Sequence, residues 1–505
     1  MKIEVKKNTK KNIVFGALSK IILLILPFIM RMVINNTLGA QYLGLNSLFN
    51  SILTVLSISE LGISSALVYN MYKPIAEDDY KKINAILNLY KKSYRIIGIV
   101  ISVIGIMIIP TLNYLINDDV PKGINIYAVY LIQLLATVVS YFLFSYRQSL
   151  LVAYQREDVN SIMNLVVQFA LQLTQIIVLL LTKNYYVYVV CLPIFTVINN
   201  IWINYITKRM FPETWCEGEL DSSTMGSIRK LVIGTFIQKA CATTRNSLDS
   251  ICISALLGLV LTGIYNNYFT VFNGITVLLS IVSTSLVGGI GNHVVTKDVQ
   301  DNYEELKTLD FIYMLVSGWC TICLLCLSQP FMKLWMGEKM MLSRDTVILM
   351  CAYFYILKMG DMKTLYSTAN GLWWQHRYRS IAETILNIVL NITLGLWLGV
   401  NGVVLATIIS LFVCNFLWAS SIIFGSYFKE NRLQDYFRYH LLYAMITAIV
   451  ASITYLVSER IPIANGLLSL LIRAVVCATI PSLLYFMIYS RTHIFKKSIS
   501  LIKEH

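Results

Sequence analysis

Residues 93–117 read SYRIIGIVISVIGIMIIPTLNYLIN, and no charged side chain falls between Ile96 and Ile116. Such a run is too apolar to leave in water, and as a helix rising about 1.5 Å per residue it crosses a hydrocarbon core roughly 30 Å thick. A lone strand would leave backbone N–H and C=O groups unpaired in lipid, so a helix is the local structure that satisfies the segment. Working outward, comparable runs recur along the whole chain. Read against charged and Gly/Pro punctuation, they are 12–35, 43–70, 93–117, 124–146, 159–182, 185–207, 228–256, 263–290, 309–332, 344–370, 380–399, 402–426, 440–458 and 465–490. The composition agrees. With 505 residues, 57% hydrophobic, 13% charged and a mean hydropathy of +0.66, the chain holds more apolar surface than one soluble core buries. The expected fold class is an all-α integral membrane protein with about 14 transmembrane helices.

Charges outside the runs set the orientation. Lys2, Lys6, Lys7, Lys10 and Lys11 precede the first run as a signal-peptide n-region would. That run is too long for an h-region and carries Lys20 and Arg31, so it is expected to be a retained helix. With the N-terminus inside, alternate connections hold Lys73, Lys81, Lys82, Lys91 and Lys92, then Arg147 and Arg156, then Lys208, Arg209, Arg229 and Lys230, then Lys297 and Lys307. Arg377 and Arg379, then Lys429, Arg432 and Arg438, and finally Arg491, Lys496, Lys497 and Lys503 fall on the same side. The turns near 36–42, 257–262 and 400 hold none. The positive-inside rule therefore puts both termini in the cytoplasm. It also accounts for the formal net charge of +14 without nucleic acid, because the basic residues sit singly in short loops. Cys320, Cys323 and Cys326 have a metal-ligand spacing but lie within an apolar run with no His or acid nearby, so they are read as packing residues. Cys216, alone in a cytoplasmic connection, is expected to be a free thiol.

The two halves align at an offset close to 220. Leu38-Gly39 with Gly44 match Leu257-Gly258 with Gly263, Lys20 matches Lys239, Asp79 matches Asp298, Pro110 matches Pro330, and Gln155 matches Gln375. The expected organisation is an N-terminal six-helix lobe (1–210), a C-terminal six-helix lobe (211–432), and a pair of extra helices with a cytoplasmic tail (433–505). An even number of spans per repeat puts the pseudo-twofold axis along the membrane normal, with the substrate cavity expected between lobes.

Ionisable groups inside apolar runs are costly and mark cavities or pathways. The cations are Lys20 and Arg31, Lys239 and Arg245, Lys358 and Lys363, and Arg473; the acids are Glu60, Asp249, Asp361 and Glu383. Lys20 and Arg31 stand three helical turns apart on one stripe with Pro27. Arg245 with Asp249 at i,i+4, and Lys358 with Asp361 at i,i+3, are spaced to neutralise each other. Lys20, Arg31 and Lys239 are left without a partner in their own helices, and an anionic ligand would complete them. Snorkelling towards opposite faces, or pairing with Glu60 on the adjacent helix, is the plain alternative for Lys20 and Arg31. Glu60 is either a partner for these cations or a proton- or sodium-coupling group. Arg473 and Glu383 read as structural. No phosphate loop, catalytic carboxylate pair or histidine metal spacing occurs, and no cofactor is expected, so the chain does not read as an enzyme.

Residues 38–74, LGAQYLGLNSLFNSILTVLSISELGISSALVYNMYKP, with the Lys/Asp-rich loop and Tyr90 to Tyr94 beyond them, resemble polysaccharide flippases of the Wzx type, within the multidrug/oligosaccharidyl-lipid/polysaccharide exporter superfamily. The resemblance runs over essentially the whole chain. It implies a six-plus-six-plus-two layout in a bacterial plasma membrane. It also implies movement of undecaprenyl-diphosphate-linked repeat units to the outer leaflet by alternating access without ATP, for capsular or exopolysaccharide synthesis. A polysaccharide polymerase and glycosyltransferases are the partners implied. By position within span and lobe, the diphosphate-holding role falls on Lys20, Arg31 and Lys239, with Arg245 as a further substrate contact. Coupling or charge-partner roles fall on Glu60, Asp249 and Asp361. A drug/cation antiporter of the same fold ranks second, because buried cations outnumber acids seven to four. An envelope assembly protein ranks third, since the repeat and the buried charges disfavour it.

Overall fold

The helices cover the apolar runs and in places reach well past the charges that bound them, as where Tyr80–Ile108 runs through Lys81, Lys82, Lys91, Lys92 and Arg95. The computed structural model describes residues 5–60, 63–117, 120–461 and 466–504, with most of the side chains within them. In chain order the α-helices are α1 (Val5–Thr37), α2 (Ala40–Leu56), α3 (Ile63–Ala76), α4 (Tyr80–Ile108), α5 (Ile126–Phe142), α6 (Gln148–Ala153), α7 (Glu157–Thr182), α8 (Tyr185–Met210), α9 (Ser222–Leu257) and α10 (Leu259–Thr296). They continue as α11 (Val299–Met336), α12 (Arg344–Lys358), α13 (Asp361–Ala369), α14 (Arg377–Leu398), α15 (Val400–Ser410), α16 (Ala419–Ile423), α17 (Leu433–Glu459), α18 (Gly466–Tyr489) and α19 (His493–Glu504). No strand occurs among the described residues.

Side-chain caps satisfy the first free amides of several helices. Asp79 accepts from the Lys82 amide at the start of α4, Asn125 from the Tyr127 and Ala128 amides at α5, Asn184 from the Tyr186 amide at α8, and Ser343 from the Thr346 amide at α12.

Among the described residues, nine helices are long and apolar enough to cross a membrane, and the pair formed by α5 with Ser145–Ala153, bent by 52°, makes a tenth. The four sequence-derived ranges outside that set, 12–35, 43–70, 228–256 and 344–370, are the ones that carry Lys20 and Arg31, Glu60, Lys239 with Arg245 and Asp249, and Lys358 with Asp361 and Lys363. Lipid is the solvent of the outer surface. Met107, Leu181, Trp397 and Met487 are each at least 69% exposed, and only 28% of the most apolar window of Tyr80–Leu115 is buried.

The chain divides into two compact units, residues 1–263 and 264–505. In the first, α1 packs on α7, α2 and α3 on α9, α4 on α5, and α5 on α8. In the second, α11 is the hub, touching α12, α17, α18 and α19, while α12 and α14 pack on α15. More than half of the apolar window of α11 is buried accordingly. α18 is fastened to α11 by the Trp319 indole, which donates to the Cys477 carbonyl at 3.0 Å. Between α15 and Lys429 the chain winds as a π-helix at Leu411–Trp418 and again at Phe424–Phe428, a departure that the hydropathy pattern did not announce.

Candidate functional site

The first unit holds the charges of α1 and α9. The side chains of Lys20 and Glu60 lie outside the described residues. Arg31 is half-buried, and its Nη2 donates to the Gly263 carbonyl at 3.1 Å. Beyond it on α8, the rings of Tyr185 and Tyr188 stack at 5.5 Å, with Tyr42 edge-on to Tyr185 at 5.1 Å. On α9, Lys239 is exposed whereas Arg245 and Asp249 are buried one turn apart, 9% and 4% exposed. A buried guanidinium and carboxylate at that spacing keep the local charge near zero.

Arg31 is seated at a close crossing of two chain turns. Gly39 (φ 104°) ends the turn between α1 and α2, and Gly258 (φ 96°) ends the one between α9 and α10; both occupy backbone space that L side chains avoid. Five residues on from each, Gly44 and Gly263 bring α2 and the first turn of α10 together: a Cβ on Gly44 would lie 1.9 Å from the Leu259 carbonyl oxygen, and one on Gly263 would lie 2.9 Å from the Ala40 carbonyl oxygen. These four glycines are pairwise equivalent at the offset seen in the sequence. The same end of α9 is clasped by residues 115–117: the Asn117 amide donates to the Ser254 carbonyl (3.2 Å), its side chain to the Leu256 carbonyl (2.8 Å), and the Ser254 hydroxyl to the Leu115 carbonyl (2.7 Å).

Most of the charges singled out in the second unit have partners. Lys358 Nζ lies 2.8 Å from Asp361 Oδ2, the pairing expected from their spacing, and the Tyr313 hydroxyl donates to the same oxygen at 2.5 Å. Lys363, 1% exposed, donates to the carbonyls of Asn415 (2.8 Å) and Phe416 (3.2 Å) inside the first π-helical segment. A π turn displaces carbonyls from the regular ladder, and the ammonium takes up that acceptor capacity. Arg379 and Glu383 bridge at 2.9 Å, and Arg473 lies 3.9 Å from Glu459.

Two buried groups escaped the sequence reading. Asp310, 1% exposed, accepts from the Tyr439 hydroxyl at 2.8 Å and lies 3.5 Å from His440 Nε2. It stands at the edge of an apolar run, where a carboxylate passes for a loop residue. Arg147, assigned to a cytoplasmic loop, is 5% exposed, and its Nε and Nη1 have no hydrogen-bond partner among the described residues. Only the kink after α5, invisible in hydropathy, turns it inward. No group of three or more His, Cys, Asp or Glu poised to hold a metal occurs among the described residues. Cys216 and the other cysteines are free thiols.

Among the described residues the chain is all-helical, with charged side chains set inside apolar helices. The chain belongs to the polysaccharide biosynthesis protein family, whose sequence model matches residues 9–287. No curated protein matches it over its sequence. Its fold is similar to that of a solved structure of the lipid II flippase MurJ in an inward closed conformation (TM-score 0.66, 17% identity, covering 95% of this chain and 99% of that one). It is also similar to an inward-facing multidrug resistance MATE family transporter of the MOP superfamily (0.60, 11%, 82% and 98%) and to the eukaryotic MATE transporter AtDTX14 (0.55, 14%, 81% and 96%). At these identities the likeness establishes the shared transporter fold.

Proposed function

We propose that the chain flips undecaprenyl-diphosphate-linked oligosaccharide repeat units from the inner to the outer leaflet of a bacterial plasma membrane, supplying capsular or exopolysaccharide synthesis. The observation that carries this reading is the match to the polysaccharide biosynthesis protein family over residues 9–287, a stretch that includes the α1 and α9 cations. A diphosphate carries charge enough to engage Lys20, Arg31 and Lys239, with Arg245 as a further contact; charge-assisted contacts of this kind are the strong ones. Transport proceeds by alternating access without ATP and without a cofactor, both termini remain cytoplasmic, and the polymerase and glycosyltransferases of the pathway are the natural partners. The clasp of residues 115–117 on α9 is the outer gate in this scheme. Asp249 or Glu60 couples the return step to a proton or sodium ion, and Asp361 serves as the charge partner of Lys358.

Lys20→Ala and Lys239→Ala are expected to impair polysaccharide export while the protein still reaches the membrane, and Arg31→Lys is expected to be milder than Arg31→Ala. Undiminished export by the Lys20→Ala/Lys239→Ala double variant contradicts the anion site. A drug/cation antiporter is the second reading, favoured by the buried Asp249 carboxylate. Efflux of a cationic dye that Asp249→Asn abolishes, with no flipping of the sugar lipid, selects it.

A further inference from the structure

Where α11 and α17 end and α12 and α18 begin, two adjoining cavities of about 300 and 510 Å³ open within the second unit. Gln329, Arg344, Glu459 and Arg473 line both, and Lys333 lines the larger. One carboxylate is shared there by two guanidiniums at loose distances: Glu459 lies 3.4 Å from Arg344 Nη1 and 3.9 Å from Arg473 Nη1. The Nε of Arg473 is buried with no hydrogen-bond partner among the described residues. Lys333 pairs with Glu338 at 2.5 Å, and that ammonium holds the exposed Glu338 carboxyl below its usual range. The three cations therefore face two acids, one of them turned to solvent.

Leu325, Pro330, Leu334, Val347 and Ile348 add apolar lining to the two cavities. Arg473 stands seven residues into α18, about 10 Å below the helix start. That is the depth at which a side chain reaching outward meets lipid headgroups. By the charge pattern of the loops, this end of the helices is the external one.

We infer that this cleft binds a phosphate group, with a phosphatidylglycerol-like lipid of the outer leaflet as its source: the phosphate sits between Arg344 and Arg473 in competition with Glu459, and the first acyl carbons lie on the apolar wall. The site is built from residues of the second unit alone, uses none of the α1 and α9 cations, and stands whether or not the flippase reading does. A phosphate offers each guanidinium a bidentate acceptor that the single shared carboxylate does not.

The test is native mass spectrometry of the purified full chain titrated with phosphatidylglycerol, with phosphatidylcholine, and, in a separate arm, with inorganic phosphate. Phosphatidylglycerol is expected to bind about tenfold more tightly than phosphatidylcholine. Arg344→Ala and Arg473→Ala should each lose that preference, and Arg473→Lys should keep part of it. Glu459→Gln is the decisive variant, since removing the competing carboxylate should tighten phosphatidylglycerol binding, whereas a purely structural ion-pair cluster would only be weakened by it. Inorganic phosphate competing with the same dependence on both arginines, while phosphatidylglycerol shows none, supports the anion site and makes its ligand soluble. Equal retention of both lipids, with no loss in the arginine variants and no gain in Glu459→Gln, overturns the proposal.

Discussion

Lys358 and Asp361 illustrate how a charge is kept inside an apolar bundle. The pair is held at 2.8 Å with the Tyr313 hydroxyl on the same carboxylate oxygen, so the ammonium, 4% exposed, is compensated in place. Removing one partner of a buried pair strands the other, at a cost of about 3–5 kcal/mol, whereas replacing both with apolar groups of similar size is close to neutral. Asp361→Asn should therefore lower the thermal midpoint of the purified protein markedly, and Lys358→Met/Asp361→Leu should restore most of it. If the restored protein also transports, Asp361 is a charge partner alone; if it is stable but inactive, Asp361 has a coupling role as well. This pair was legible from its i,i+3 spacing. Lys363 was legible as a buried cation but not in its solution, because its acceptors are carbonyls set free by a π-helix some fifty residues away. Asp310 and Arg147 were missed because a run's edge and a helix kink decide their burial, and neither leaves a mark in hydropathy.

The turn at Gly39–Gly44 and its counterpart at Gly258–Gly263 form the element with the least freedom. An alanine at Gly39, held at φ 104° and ψ 174°, costs of order 1–3 kcal/mol from backbone strain alone. At Gly44 the obstacle is steric, since a methyl group would meet the Leu259 carbonyl and α2 would have to leave α10. Gly44→Ala and Gly263→Ala are expected to reduce both stability and transport, measured as thermal midpoint and sugar-lipid flipping, with Gly44→Ala the more severe. A Gly44→Ala protein of unchanged midpoint would show that the crossing is looser than described. The neighbouring clasp makes its own prediction: in a background without the native cysteines, Asn117→Cys with Ser254→Cys should form a disulfide that arrests transport until reduced. Full transport by the oxidised pair would rule out opening at this point. Sequence pattern located the ten spans found among the described residues and the glycines at the repeat offset, but it gave 43–70 and 344–370 as continuous runs where the helices stop at Leu56 and Lys358. It gave no sign that these glycines touch, because a contact between turns so far apart in sequence is a property of packing rather than of periodicity.

For the molecule as a whole, lipid supplies the environment for the apolar faces, and the loops carry the charge that orients them. Labelling with an impermeant thiol reagent should therefore reach Cys216 only from the cytoplasmic side, and labelling from outside intact cells would invert the orientation. An anionic diphosphate lipid, the cargo proposed for this protein, responds to the membrane potential. Each net negative charge leaving a negative interior gains about 2.3 kcal/mol per 100 mV, a gain that shrinks if Lys20, Arg31 and Lys239 move with the diphosphate. The most direct measurement is flipping of a fluorescent polyprenyl-diphosphate sugar in proteoliposomes under an imposed valinomycin potential, with pH and sodium matched across the membrane. Protein-dependent flipping is expected, accelerated outward by an inside-negative potential and reduced about tenfold or more in Lys20→Ala/Lys239→Ala, the loss of at least one charge-assisted contact. Failure of the wild-type protein to flip this lipid, or equal flipping by the double variant, would contradict the proposed cargo and its site.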